Sequence, residues 1–92
     1  MPIAHSIVPQ FAQVVTIDFA DVPTVSSLTE EVTVAGALVD HIYLAIPEGT
    51  WNEGLSYPIG TSKNAGKVTF RILNPTAGNL DPVSQDFKIL GF

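Results

Sequence analysis

Ninety-two residues support one hydrophobic core, since a chain of this length buries roughly 60–65% of the surface its unfolded form exposes. Nine acids against four bases give a net charge of −5, which argues against a nucleic-acid backbone as partner, because phosphate binding needs a basic surface. With no cysteine there are neither disulfides nor thiolate metal ligands, so help for a small core is expected from association with further copies of the chain.

Val, Ile, Thr and Phe are prominent, and seven Gly and seven Pro are spread so as to interrupt any long helix; the composition predicts an all-β chain. Residues 1–13, MPIAHSIVPQFAQ, hold Ile3, Ile7, Val8 and Phe11 without a period of 2 or 3.6, and read as an extended arm whose apolar side chains lie on the domain or on a neighbouring subunit. The segment has no basic region followed by a continuous apolar run, so it is not expected to be a signal peptide, and no apolar run in the chain approaches the roughly 20 residues of a membrane helix. His5 reads as an exposed polar residue.

The domain proper is expected over residues 14–92. Gln13 to Ala20 predicts a strand with Val15, Ile17 and Phe19 on one face, ended by Asp21-Val22-Pro23. Pro23 to Glu30 reads as a polar connector, in which Ser26, Ser27 and Thr29 lack a nearby base and so point to turn hydrogen bonding rather than nucleophilic chemistry. A second strand follows, with Val32 and Val34 inward, closed by Gly36. In Asp40 to Ile46, Ile42, Leu44 and Ile46 alternate with His41, Tyr43 and Ala45; Asp40 and His41, as consecutive strand residues, face opposite ways and cannot share a ligand.

Trp51 stands in the loop EGTWNE, where it either offers a sugar-stacking surface or anchors the core or a subunit contact, the second being expected. Leu55, Tyr57 and Ile59 alternate around Pro58 and predict an edge strand. Gly60 to Gly66 reads as a flexible turn without the Gly-Lys-Ser/Thr ending of a phosphate loop. Val68, Phe70 and Ile72, then Asn74-Pro75 and Ala77-Gly78-Asn79, then Phe87 and Ile89, read as a β-hairpin around a wide turn. Proline at the middle of Asn74-Pro75-Thr76 removes a glycosylation site. In the closing QDFKILGF, Leu90 and Phe92 lie on the face opposite Phe87 and Ile89, so both faces of the last strand need cover.

Residues 1–60 carry seven acids (Asp18, Asp21, Glu30, Glu31, Asp40, Glu48, Glu53) and no Lys or Arg, whereas residues 61–92 carry all four bases (Lys63, Lys67, Arg71, Lys88). This polarity reads either as two solvated faces or as complementary patches that meet between identical subunits. No acid, base or nucleophile has a partner at a spacing that implies catalysis, and neither a metal nor a cofactor is expected.

The succession VTVAG, DHIYLAIPEG and GKVTFRILNPTAGNLDP with a terminal aromatic strand resembles small β-sandwich virion proteins of tailed bacteriophages, over roughly residues 14–90. The resemblance implies a compact β-sandwich, jelly-roll-like fold or small barrel of six to eight antiparallel strands. It also implies a capsid decoration, or cement, protein on the phage head, made in the host cytoplasm. Such a protein associates with itself as a trimer and with the major capsid protein. Ile3, Ile7, Val8, Phe11, Trp51, Leu90 and Phe92 are then the candidate contact residues. The alternative is a tail- or fibre-associated module that binds carbohydrate or a receptor.

Overall fold

The computed structural model describes residues 10–92, and these form six antiparallel strands in one sheet, with no helix among the described residues. The strands are β1 (Phe11–Ile17), β2 (Ser26–Thr33), β3 (Ile42–Pro47), β4 (Ile59–Asn64), β5 (Lys67–Asn74) and β6 (Gln85–Gly91), in the order β1-β6-β3-β4-β5-β2. Strands β3, β4 and β5 form a meander. β6 returns beside β3 and β2 lies beside β5, so two Greek keys share the same three central strands.

Three expectations are corrected. β5 and β6 do not form a hairpin: β4 and β3 lie between them, and residues 75–84 are a crossover. Gly60 to Gly66 is mostly strand, and it is interior, pairing with β3 through Gly60↔Tyr43 and with β5 through Gly60↔Phe70; only Ala65-Gly66 turns, with Gly66 at φ +81°. Leu55 and Tyr57, expected in an edge strand, belong to the loop that precedes β4. Smaller shifts go the same way. β1 begins at Phe11, inside the expected arm, and β2 begins at Ser26, inside the expected connector.

The sheet is strongly curled. Phe70, Gly60, Tyr43 and Gly91 share one rung, and Phe87 lies four residues along β6 from Gly91. In a flat sheet Phe70 and Phe87 would be about 19 Å apart, from ~4.8 Å between strands and ~3.3 Å along them. Phe19, however, meets both edge-on, its ring centroid 6.2 Å from that of Phe70 and 5.4 Å from that of Phe87, so the two rings are at most about 12 Å apart. The sheet bends until β5 and β6 face each other across Phe19.

The concave side is filled by Val68, Phe70, Ile72, Phe87, Ile89, Tyr43 and Ala45 from the sheet, and by Phe19, Val22 and Leu55 from the connections. The two crossovers close it. Val22 and Leu80 exchange backbone hydrogen bonds of 2.8 and 3.1 Å, tying residues 18–25 to residues 75–84. Asn74, fully buried, pins the same junction: its side-chain amide donates to the carbonyls of Val22, Pro23 and Gly78, and its Oδ1 accepts from the Thr76 N–H and hydroxyl. No buried side-chain polar atom among the described residues lacks a partner, as a core this small requires.

Candidate interaction surface

Residues opposite one another in an antiparallel sheet point to the same face. Following the register outward from Leu90 therefore assembles the convex side: Ala12 and Val14 on β1, Leu90 on β6, Ile42, Leu44 and Ile46 on β3, Ile59 on β4, and Arg71 and Leu73 on β5. Of the exposed large apolar residues, Ile46 at 37% and Ile42 at 55% mark the range, with Val14, Ile59 and Leu73 between them, while Leu44 and Leu90 are half-buried. Tyr57 joins from the loop before β4. With Leu44, Ser56, Ile59, Arg71 and Leu73 it lines a shallow hollow of about 410 Å³. The loop is held there because Ser56 N–H donates to the Leu73 carbonyl (3.0 Å) and Leu73 N–H to the Ser56 hydroxyl (2.8 Å).

In β3 the pair on the concave side is Tyr43 and Ala45, while Ile42 and Ile46 are exposed and Leu44 is half-buried. The packing decides this. Tyr43 lies over Gly91, where an added Cβ would be 2.6 Å from its ring, meets Phe11 edge-on at 5.7 Å, and uses its hydroxyl to accept from Leu38 N–H at 2.7 Å.

The candidate contact residues divide accordingly. Leu90 and Phe92 lie on the convex side, half-buried, with Phe92 joined to Ile42 by reciprocal backbone hydrogen bonds. Phe11 packs on the core. Ile3, Ile7 and Val8, with His5, lie outside the described residues. The exposed residues Val14, Ile42, Ile46, Ile59 and Leu73 were not among the candidates; the signal in the sequence was the apolar set Ile42, Leu44 and Ile46 opposite a second, buried set.

Trp51 is half-buried and held by three contacts. The ring stacks on Tyr57 (6.2 Å, 23°), meets Phe87 edge-on (5.8 Å), and donates its N–H to the Leu55 carbonyl at 3.3 Å. These contacts anchor the loop, and Trp51 and Tyr57 also line a hollow with Ile46, Pro47, Gly49, Glu53 and Leu55. Asp40 sits in a turn at φ +68° with its N–H on the Ser62 carbonyl, and it and His41 precede β3 rather than standing in a strand. Ser26, Ser27 and Thr29 are in β2. Among the described residues no group of three or more His, Cys, Asp or Glu is placed to hold a metal ion.

The charge polarity of the sequence is not kept in space throughout: Lys67 Nζ lies 3.7 Å from Glu31 Oε1, joining the acidic and basic parts of the chain across β5 and β2. Comparison with known proteins finds no matching family model, no matching curated protein and no matching solved structure.

Proposed function

We propose that this chain is a structural subunit of a phage virion, a capsid decoration protein that associates with itself and bridges neighbouring copies of the major capsid protein at the head surface. The observation that supports this reading most directly is the convex face: Val14, Ile42, Ile46, Tyr57, Ile59 and Leu73 are exposed on one side of a single sheet. Scattered exposed apolar residues are ordinary, but a contiguous set spread over β1, β3, β4 and β5 is the mark of a contact surface. The curled sheet with two Greek keys fits the small sandwich or jelly-roll fold that the resemblance implies.

In this reading the convex face seats on capsid protein across a subunit boundary, with Arg71 and Lys88 among its apolar residues fixing orientation. Contacts of this kind oppose the outward pressure of packaged DNA, because separating capsid subunits then requires exposing apolar surface that the decoration protein had covered. The trimer is the symmetry implied by the resemblance.

The test is to add the protein to capsids stripped of accessory proteins and to measure co-sedimentation and resistance to heat and low salt. Binding with increased resistance is expected, and Ile59→Lys, at a position exposed to solvent, should abolish both while leaving the melting temperature of the free protein within a few degrees. Particles that neither bind the chain nor gain resistance overturn the proposal.

A further inference from the structure

The two edges of the sheet are built differently. β2 carries Glu30 and Glu31; Glu30 points to the concave side, where its carboxylate accepts from Ala20 N–H at 3.3 Å, and Glu31 is paired with Lys67. Charges, especially inward-pointing ones, are how natural sheets prevent an edge from recruiting another strand. β1, FAQVVTI, has none of these devices: seven residues with no charge, no proline and no bulge inside the strand.

Which backbone groups β1 leaves free follows from the register. Phe92 N–H donates to the Ile42 carbonyl and Ile42 N–H to that of Phe92, so the even-numbered residues of β6 address β3, and Gln85, Phe87 and Ile89 address β1. Their partners Ile17, Val15 and Gln13 are thereby engaged. The N–H and carbonyl groups of Ala12, Val14 and Thr16 point to the free side, where nothing among the described residues pairs with them.

We propose that this edge is the self-association contact of the protein, with β1 pairing antiparallel to β1 of a second copy about a two-fold axis at Val14. Three features of the strand make the second copy the occupant. Centring on Val14 matches the free backbone groups to themselves: Val14 meets Val14, and Ala12 meets Thr16, for about six inter-chain hydrogen bonds in the alternating antiparallel pattern. The faces also match, because Phe11, Gln13, Val15 and Ile17 meet one another on the concave side and the two exposed Val14 side chains meet on the convex side, making its apolar surface continuous across the dimer. Charge permits the contact in a chain of net charge −5, because β1 itself is neutral. The nearest like charges on the central rung are the two Lys88 side chains, about 14 Å apart at ~4.8 Å per strand and beyond the ~8 Å screening length of physiological salt. The Thr16 hydroxyl already donates to the Asp86 carboxylate, so it does not need water at this edge.

This contact deepens the self-association in the proposed function and rests on that part of it alone. It predicts a two-fold dimer where the resemblance implies a trimer. The test uses the full chain. Light scattering after size exclusion should give the mass of two copies, and Val14→Pro should give one copy with an unchanged far-ultraviolet spectrum, because Val14 N–H makes no bond among the described residues and proline is tolerated at such edge positions. Val14→Cys, the only thiol in the chain, should oxidise to a covalent dimer, while Thr29→Cys on the guarded edge should not. Amide exchange at Ala12, Val14 and Thr16 should slow as concentration rises through the dimerisation range.

A monomeric or trimeric wild-type protein, or a Val14→Pro dimer, overturns the pairing, as does protection of those three amides that is independent of concentration. Each of these leaves capsid binding to be judged separately. A dimer that fails to bind capsids overturns the decoration role and leaves the pairing intact.

Discussion

Gly60→Ala is expected to be the most damaging single-methyl addition to this protein. Gly60 is buried at the centre of the sheet, between Tyr43 of β3 and Phe70 of β5, and an added Cβ would sit 2.0 Å from the Thr69 carbonyl oxygen and 2.9 Å from Phe70 Cα. Those are backbone atoms, so no side chain can rotate away. Optimal carbon contacts lie near 3.5 Å, so relief requires β4 and β5 to part by more than about 1 Å. Losing two ladder hydrogen bonds at about 1 kcal/mol each, with about 1–3 kcal/mol of overpacking, gives a loss of about 3–5 kcal/mol. A chain of this length has roughly 5–14 kcal/mol in total. At ~4–8 °C per kcal/mol, the melting temperature should fall by about 12–40 °C. Thermal melts followed by circular dichroism, with urea titration as a second measure, read this directly. Gly78→Ala is the control, since an added Cβ there meets nothing within 4 Å, and it should change stability by less than about 0.5 kcal/mol, as surface substitutions usually do. A Gly60→Ala protein that melts within about 5 °C of the wild type would refute the close approach of β4 to β5.

Phe19→Ala, which removes the ring holding β5 and β6 together across the core, should cost about 3–5 kcal/mol in urea titration; a loss below about 1 kcal/mol would mean the curl of the sheet does not depend on it. Asn74→Ala removes the side-chain donor to the Pro23 carbonyl, one of two donors to each of the Val22 and Gly78 carbonyls, and the acceptor of the Thr76 N–H, and should destabilise by about 2–4 kcal/mol, with faster amide exchange at Val22 and Leu80 as the local readout. Val25, exposed and β-branched, sits at φ +46°, so Val25→Gly should raise stability by about 1 kcal/mol despite the greater freedom of glycine in the unfolded chain; a loss would show that the strain is absent. Trp51 emission should be indifferent to added mono- and oligosaccharides, whereas Tyr57→Ala, which uncovers the indole face, should red-shift it and increase acrylamide quenching; saccharide-dependent quenching of the wild type would restore the carbohydrate reading.

Alternation with period 2 was enough to place β1, β3, β5 and β6 within a few residues, and the scarcity of helix formers with dispersed Gly and Pro was enough for the class. Those signals are local, carried by side chains two residues apart on one strand. Three other features depended on partners far away in sequence. GTSKNAG has the chemistry of a turn, yet Ile59 to Asn64 is strand, because β3 and β5 pair with it on both sides and only small residues such as Gly60 and Ser62 fit on the concave side. The two apolar halves of QDFKILGF and the two faces of IYLAI were legible as faces, but which of them is inside was settled by Gly91 admitting the Tyr43 ring and by Phe19 arriving from a crossover. Nearness in sequence suggested a β5–β6 hairpin, whereas the sheet inserts β4 and β3 between them. The sequence by itself determined that strands form and that each has two distinguishable faces, since backbone sterics and side-chain chemistry act over a few residues. Only the tertiary structure decided strand order, the buried face of each strand and the unguarded edge at β1, because these follow from which backbone groups find partners once the sheet has curled and closed.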